Sequence, residues 1–371
     1  MSERCDILVT GTGSLAEAVL FAFSAVDAGH PLHLAIGGRN RTRLDWLSLA
    51  SNGRAVSFAK PNFTTAVELD WTTPETLAVT LGRIKPRVII QTASMQSPWT
   101  LGASNDWARM IAAGGYGLAT PLHTIPSARL MRAVEIAGLD TTIINGAFPD
   151  ISNSIMQAMG LKSPIGFGNV DLVAVSTMAM LGERQPGKVQ VLAQYEPHVA
   201  AFRLKPAQRT GMDPRVWVDG KEVTDFGTRF AAIAFPAGAD DALNQLTGTT
   251  VVPLALAFVD GRDYVGHATG PFGLPGGYPV TVRNRTLTLR LPAGVSEQEA
   301  IDYNKKYERH EGIVVDEAAK RIVLSGKAKA ALARHSERLA GGYSIASLAD
   351  LEAAGRDLED LRARLERTQA A

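Results

Sequence analysis

The chain has 371 residues, a formal net charge of +1, and 46% hydrophobic and 20% charged residues. A nearly neutral chain gives no electrostatic reason to expect binding to nucleic acid or to an anionic membrane. The single cysteine, Cys5, excludes an intramolecular disulfide and a cysteine-based zinc cluster, and no stretch approaches 18 uninterrupted apolar residues. We therefore expect a cytoplasmic protein of about two domains, with no metal, no nucleic-acid partner and no membrane partner.

Residues 5–36 carry the order strand, glycine turn, helix, strand. An apolar run is followed by the G-x-G-x-x-A turn Gly11-Thr-Gly13-Ser14-Leu15-Ala16, a helix-length apolar segment and a second apolar run. Gly11 allows the tight turn, and Gly13 lets backbone N–H groups approach a pyrophosphate at the helix N-terminus. The pattern predicts a dinucleotide site at Gly11, Gly13, Ser14 and Leu15. A turn that needs glycine for backbone reasons only is the alternative.

The segment after the second strand favours a phosphorylated cofactor. It reads Gly37-Gly38-Arg39-Asn40-Arg41-Thr42-Arg43 and lacks the carboxylate that NAD sites use for the ribose 2′-hydroxyl. A guanidinium group suits a 2′-phosphate. We predict NADP(H), with NAD(H) as the alternative. Arg39 is assigned to the phosphate, assisted by Asn40 and by Arg43 or Arg41; solvated arginines at a helix start are the structural alternative.

Strand-like and helix-like segments alternate up to residue 150, as in a doubly wound parallel sheet. A predicted strand at 86–92 ends in Thr92-Ala93-Ser94, and its carboxyl end is expected to border the cofactor. The small side chains of Thr92, Ala93, Ser94 and Ser97 suit contact with a ribose or nicotinamide. A short strand is predicted at 116–120 and a helix at 125–137. A strand at 141–145 then leads into Gly146-Ala-Phe-Pro149-Asp150.

This order of elements, with its exit turn at 146–150, resembles the NADP-binding domain of saccharopine dehydrogenase-like reductases. The resemblance covers residues 5–160, and the family often has Pro-Gly where this chain has Pro149-Asp150. It implies an α/β fold with an N-terminal Rossmann domain at 1–150. It also implies hydride transfer at a C=N bond, with a C=O bond as the alternative.

The second half changes character. Residues 151–300 are expected to form an α+β domain with a mostly antiparallel sheet, for substrate binding or dimerisation. Hairpin turns are predicted at Asp219-Gly220 and Asn284-Arg285. The glycine- and proline-rich run 266–279 is predicted to be a shaped loop and neither a helix nor a central strand. Further strands are predicted at 170–176, 188–195, 215–218 and 281–291.

Residues 301–371 are expected to be a helical segment that packs on the preceding domains. A stripe of leucines and one alanine predicts a final helix, with Ser347 as its cap. The stripe faces either its own domain or a second copy of the chain, so a homodimer is left open. Its members are Leu351, Ala354, Leu358, Leu361 and Leu365.

Hydride transfer usually needs one proton donor or acceptor. The candidates are His123 at a predicted strand end, Asp150 at the domain crossing and His267 in the second domain; for each, a structural role is the alternative. Arg203, Arg209, Arg215 and Arg229 are candidates to bind a substrate carboxylate. Metalloprotease, serine-hydrolase and P-loop motifs are absent. The sequence predicts an NADP(H)-dependent oxidoreductase of a small polar metabolite; a non-catalytic NADP-binding sensor or regulatory protein is the alternative.

Overall fold

The computed structural model describes residues 5–96, 105–162, 164–209, 211–235 and 241–367. Its centre is a parallel sheet in the order β3-β2-β1-β4-β5-β6, which is the doubly wound order. The sheet confirms the predicted α/β fold class. The strands are β1 (Ile7–Thr10), β2 (His33–Gly38), β3 (Phe63–Glu68), β4 (Val88–Gln91), β5 (Thr142–Asn145) and β6 (Ile165–Gly166).

Three antiparallel strands extend this same sheet beyond β6, in the order β10-β11-β12, to give nine strands in all. They are β10 (Tyr264–Thr269), β11 (Gly277–Arg283) and β12 (Thr286–Leu289). Two small antiparallel sheets are formed by other strands. Their strands are β7 (Val189–Leu192), β8 (Arg215–Val218), β9 (Lys221–Glu222), β13 (Ile313–Asp316), β14 (Arg321–Leu324) and β15 (Tyr343–Ser344).

Helices cover both faces of the large sheet. In the first half they are α1 (Ser14–Ala25), α2 (Arg41–Ser57), α3 (Pro74–Ile84), α4 (Asp106–Gly114), α5 (Thr120–Ile136) and α6 (Pro149–Ala158). In the second half they are α7 (Asn169–Leu181), α8 (Phe226–Arg229), α9 (Asp241–Asp260), α10 (Glu297–Glu308), α11 (Gly326–Ala333), α12 (Glu337–Ala340) and α13 (Leu348–Glu366).

Strand β1 shows why a buried central strand reads as an uninterrupted apolar run. Leu8 packs into the core on the α3–α5 side of the sheet, whereas Ile7 and Val9 pack into the core on the α1–α9 side. Successive side chains of a strand point to opposite faces, and helices cover both faces here. Each of the three side chains is completely buried.

Four predictions of local structure were wrong. Residues 301–371 were expected to be helical, but they also contain the antiparallel sheet β13–β15, because the chain turns back on itself after β13 and pairs there. Residues 170–176 belong to helix α7, and Tyr116–Ala119 is a 3-10 turn that leads into α5 at Thr120. The run 266–279 supplies most of β10 and the start of β11, both inside the sheet, because a 3-10 turn at Pro271–Gly273 brings them together as a hairpin. The predicted turns at Asp219-Gly220 and Asn284-Arg285 join β8 to β9 and β11 to β12, and are confirmed.

Within α9, one segment of the described chain, Ala242–Asp260, is long and apolar enough to cross a membrane. It lies against α1, and 61% of its most apolar window is buried inside the protein. The contact is close at Gly248, where an added Cβ would lie 2.7 Å from the backbone of Ala18. This segment therefore has the surroundings of a core helix.

The final helix α13 begins as predicted. Ser347 is its N-cap and accepts a hydrogen bond from the backbone N–H of Asp350. The apolar stripe is buried within its own chain, where α13 packs against α5 and α4. The stripe is therefore used inside the protomer and is not a dimer surface.

Candidate functional site

A cleft opens at the carboxyl ends of β1, β2, β4 and β5. Chain connections on the two sides of β1 run in opposite directions here, which is where doubly wound sheets bind ligands. The cleft holds about 960 Å³ of empty space, open solvent included. It is lined by Gly11, Thr12, Gly13, Ser14, Leu15, Gly38, Arg39, Trp71, Thr92, Ala93, Ser94, Gln96, Tyr116, His123, Gly146, Ala147, Phe148 and Asn244.

The two glycines of the turn have different reasons to be glycine. Gly11 has φ +106°, and a Cβ there would lie 2.9 Å from Thr92 Oγ1. Glycine is therefore required at this position whether or not a ligand binds. Gly13, the N-cap of α1, has φ −80° and ψ −179°, which any residue can adopt. A Cβ at Gly13 would meet no described protein atom within 4 Å outside its chain neighbours. The space in front of Gly13 therefore faces the open cleft.

Helix α9 holds the start of α1 in place. The Asn244 side-chain N–H donates to Ser14 Oγ at 2.8 Å, and Asn244 itself lines the cleft. Ser14 and Leu15 stand in the first turn of α1, whose backbone N–H groups and positive dipole end favour an anionic ligand. The predicted glycine turn thus forms one wall of the cleft.

Only one of the three clustered arginines lines the cleft. Arg39 does so and is exposed to solvent. Arg43 is ion-paired with Glu17 of α1, and its Nε donates to the carbonyl of Thr12 at 3.3 Å. Asn40 is the N-cap of α2 and accepts from the Arg43 backbone N–H. The structure thus gives Asn40 and Arg43 local structural bonds and leaves Arg39 facing the cleft.

The loop after β4 forms the adjoining part of the cleft wall. Thr92 donates its hydroxyl hydrogen to the carbonyl of Thr10 at 2.7 Å, which ties the loop to β1. Ala93 and Ser94 also line the cleft, whereas Ser97 lies outside the described residues. Both polar atoms of the buried Gln96 amide have no hydrogen-bond partner in the described part of the chain. Buried amide groups are normally paired, so this amide is suited to a polar ligand.

His123 lies at the centre of a hydrogen-bonded row beside the cleft. Its Nδ1 is 2.7 Å from Ser94 Oγ, and its Nε2 is 2.8 Å from the Tyr116 hydroxyl oxygen. Burial lowers the pKa of His123 to about 4 and raises the pKa of Tyr116 well above its ordinary range. Near neutral pH the imidazole is therefore uncharged, with one N–H and one free lone pair.

Ser94 allows either neutral form of His123. Its hydroxyl is 2.7 Å from the Gln96 carbonyl, and it can donate there while it accepts from Nδ1–H. In that arrangement Nε2 accepts from the Tyr116 hydroxyl. If Ser94 instead donates to Nδ1, Nε2–H donates to the Tyr116 oxygen, and the Tyr116 hydrogen is directed to another acceptor. The row can thus take a proton from the cleft or deliver one to it.

The other two predicted proton carriers lie elsewhere and already have partners. Asp150 is buried in the first turn of α6, where its carboxylate accepts from Asn169 and, at 3.1 Å, from the Tyr195 backbone N–H. His267 is buried in β10, and its Nε2 accepts from the Val191 backbone N–H at 3.1 Å. Burial lowers the pKa of His267 to about 3. The structure gives both residues packing roles and does not bring them to the cleft.

Sequence reasoning missed Tyr116 and Asn244. Tyr116 was assigned to a strand, but residues 116 and 123 are separated by two helical turns, and this spacing places them on one face of a helical segment. The spacing of the two residues could therefore have indicated from sequence that Tyr116 lies near His123. Asn244 lies 230 residues from Ser14, so no local pattern could have joined them. Among the described residues there is no group of three His, Cys, Asp or Glu that could hold a metal ion.

The fold is a Rossmann-type architecture with a cleft at the reversal point of its sheet, and solved structures share this fold. Malate dehydrogenase of Cryptosporidium parvum matches 83% of this chain and 98% of its own, with 12% identity and a TM-score of 0.51. Malate dehydrogenase of Picrophilus torridus matches 83% and 96%, with 14% identity and a TM-score of 0.50. These likenesses concern the fold. No protein-family model matches the chain, and no curated protein sequence does.

Proposed function

We propose that this protein is an NADP(H)-dependent oxidoreductase that transfers a hydride to or from a C=O or C=N bond of a small metabolite. One observation carries the proposal: Gly13, Arg39 and Tyr116 border one cleft at the reversal point of the sheet. The two solved structures reported above are named as malate dehydrogenases. The resemblance to saccharopine dehydrogenase-like reductases adds the C=N bond to the proposal.

The residues present fit the cofactor. Gly13 leaves open space at the N-terminus of α1, where a pyrophosphate would be held, and the Gln96 amide has no hydrogen-bond partner among the described residues. Arg39 would take the 2′-phosphate. The bound cofactor would supply the hydride. Tyr116 would give a proton to the substrate heteroatom or take one from it, and His123 would pass that proton on within a buried row.

Tyr116→Phe tests this assignment, because it removes the hydroxyl and keeps the ring packing. NADPH oxidation is measured with a panel of 2-oxo acids, with and without ammonium. The variant is expected to lose about 10²- to 10⁴-fold in turnover at unchanged NADPH affinity. Tyr343→Phe is the matched control, since Tyr343 lies in the separate sheet of β13–β15. Full turnover by Tyr116→Phe would contradict the role. NADPH binding without turnover of any panel member would favour a sensor.

A further inference from the structure

A second pocket adjoins the cofactor cleft and shares part of its lining. Tyr116 and Phe148 line both spaces, with ring centroids 4.7 Å apart, and Tyr195 continues this wall at 5.8 Å from Phe148. The pocket holds about 710 Å³ of empty space, open solvent included. Leu15, Gly146 and Asn244 also line both spaces, so a molecule in the pocket would lie next to the cofactor cleft.

Most of the pocket surface is apolar. Leu172, Val199, Phe235 and Leu243 are buried side chains that line it, in addition to the aromatic wall. Apolar lining of this kind favours a ligand with a hydrophobic body, which gains by leaving water. This differs from the small polar metabolite expected from sequence.

One permanent charge faces this apolar lining. Among the described residues of the pocket, Arg203 is the only one with an ionised side chain at neutral pH. It is half-buried at the end of a 3-10 turn, Ala200–Arg203, and its Nη1 is 3.4 Å from the Tyr195 hydroxyl. A guanidinium group beside aromatic rings is suited to a carboxylate.

The other three arginines considered for a substrate carboxylate do not line the pocket. Arg209 is buried and donates to the carbonyls of Leu204 and Ile233. Arg215 is paired with Glu222 and Glu299. Arg229 is exposed and stacks over Phe230, outside the pocket. Arg203 is thus the one of the four candidates that lines the pocket.

We propose that this second pocket is the substrate site, and that it takes a monocarboxylate with an aromatic or branched apolar body, its carboxylate on Arg203. That this ligand is a substrate rests on the proposed oxidoreductase function, whereas binding of the acid does not require the cofactor. Arg203 positions the acid, and the apolar lining holds the body beside Tyr116. Arg203 thereby sets specificity for acids over neutral carbonyl compounds.

The test is calorimetric titration of phenylpyruvate, its methyl ester and pyruvate, into the cofactor-free protein and into the NADP⁺-saturated protein. Phenylpyruvate is expected to bind more tightly than the ester, which lacks the charge, and than pyruvate, which lacks the ring. Arg203→Met is expected to weaken phenylpyruvate binding roughly 10- to 150-fold and to leave the ester unaffected. Arg203→Lys should restore part of the affinity, and Arg229→Met is the matched control.

Equal binding of the acid and its ester by the wild-type protein would overturn the proposal, and that comparison needs no variant to fold. Equal losses in Arg203→Met and Arg229→Met, or no binding of the acid with or without NADP⁺, would also overturn it. If the acid binds through Arg203 but NADPH does not bind, the pocket stands and the proposed function fails. If NADPH binds but no acid does, the pocket proposal fails and the proposed function stands.

Discussion

Arg39 is the residue that we propose to favour NADPH over NADH. Replacing it with alanine removes the guanidinium that faces the cleft, and a charge-assisted hydrogen bond is worth about 1.5–3 kcal/mol. Arg39→Ala should therefore weaken NADPH binding roughly 10- to 150-fold and leave NADH binding nearly unchanged. Dissociation constants for both cofactors, measured by calorimetry, check this.

Arg41→Ala is the matched control for Arg39→Ala. Arg41 lies two residues away but pairs with Asp45 on the surface of α2, at 2.7 Å. The control should leave both affinities unchanged. Equal losses of NADPH and NADH affinity in Arg39→Ala would show that Arg39 does not contact a 2′-phosphate.

At the residue scale, sequence could predict what depends on neighbours along the chain. Gly11, Gly13, Arg39 and Ser94 follow strand ends, and parallel strands bring such ends to one edge. Their presence at one cleft is therefore predictable. The partners of His267 and Asp150 come from Val191 and Tyr195, far along the chain. Nothing in the local pattern could show that these two polar side chains are enclosed and already bonded.

Helix α7 shows where sequence reasoning fails at the scale of one element. Its start, Val170-Asp-Leu-Val-Ala-Val, is rich in β-branched residues and was predicted to be a strand. Asp171, however, closes the helix start, because its carboxylate accepts from the Gly168 backbone N–H at 2.9 Å. The helix then packs against β10, β7 and α9. Tertiary packing overrides a weak local preference here.

The Asp171 carboxyl also makes a prediction for stability. Burial raises its pKa to about 7 from 3.8, so the folded protein holds this proton more tightly than the unfolded chain does. The contribution of this proton to the free energy of unfolding is complete below about pH 4 and is lost as pH rises towards about 7. Asp171→Asn should keep the Gly168 bond and abolish this loss, which amounts to about 4 kcal/mol at most.

Urea unfolding of the wild-type protein and of Asp171→Asn, across that pH range, measures the effect. The stability of the variant relative to wild type should increase with pH. Asp302→Asn, at an exposed carboxylate on α10, is the control. Its free energy of unfolding should depend on pH as that of wild type does. A constant difference between Asp171→Asn and wild type across the range would mean that Asp171 has an ordinary pKa.

At the scale of the whole molecule, the predicted Rossmann order is present and the second half is arranged differently from the expectation. The long hairpins were predicted to form a mostly antiparallel sheet in a second domain. Strands β10–β12 instead extend the first sheet, through the pairing of Thr269 with Gly166. Periodicity indicates that a segment is a strand, but it carries no information on which sheet edge the strand joins.

The measurement we would make first is a calorimetric titration of NADPH and NADH into the wild-type protein and into Gly13→Val. Because Gly13 has an extended backbone and open space before it, the variant should still fold, at the modest cost of a valine N-cap on α1. We predict that the wild-type protein binds NADPH more tightly than NADH, and that Gly13→Val loses both because its side chain occupies the pyrophosphate position. If the wild-type protein binds neither cofactor, or if Gly13→Val binds NADPH as tightly as wild type, the cleft is not a dinucleotide site.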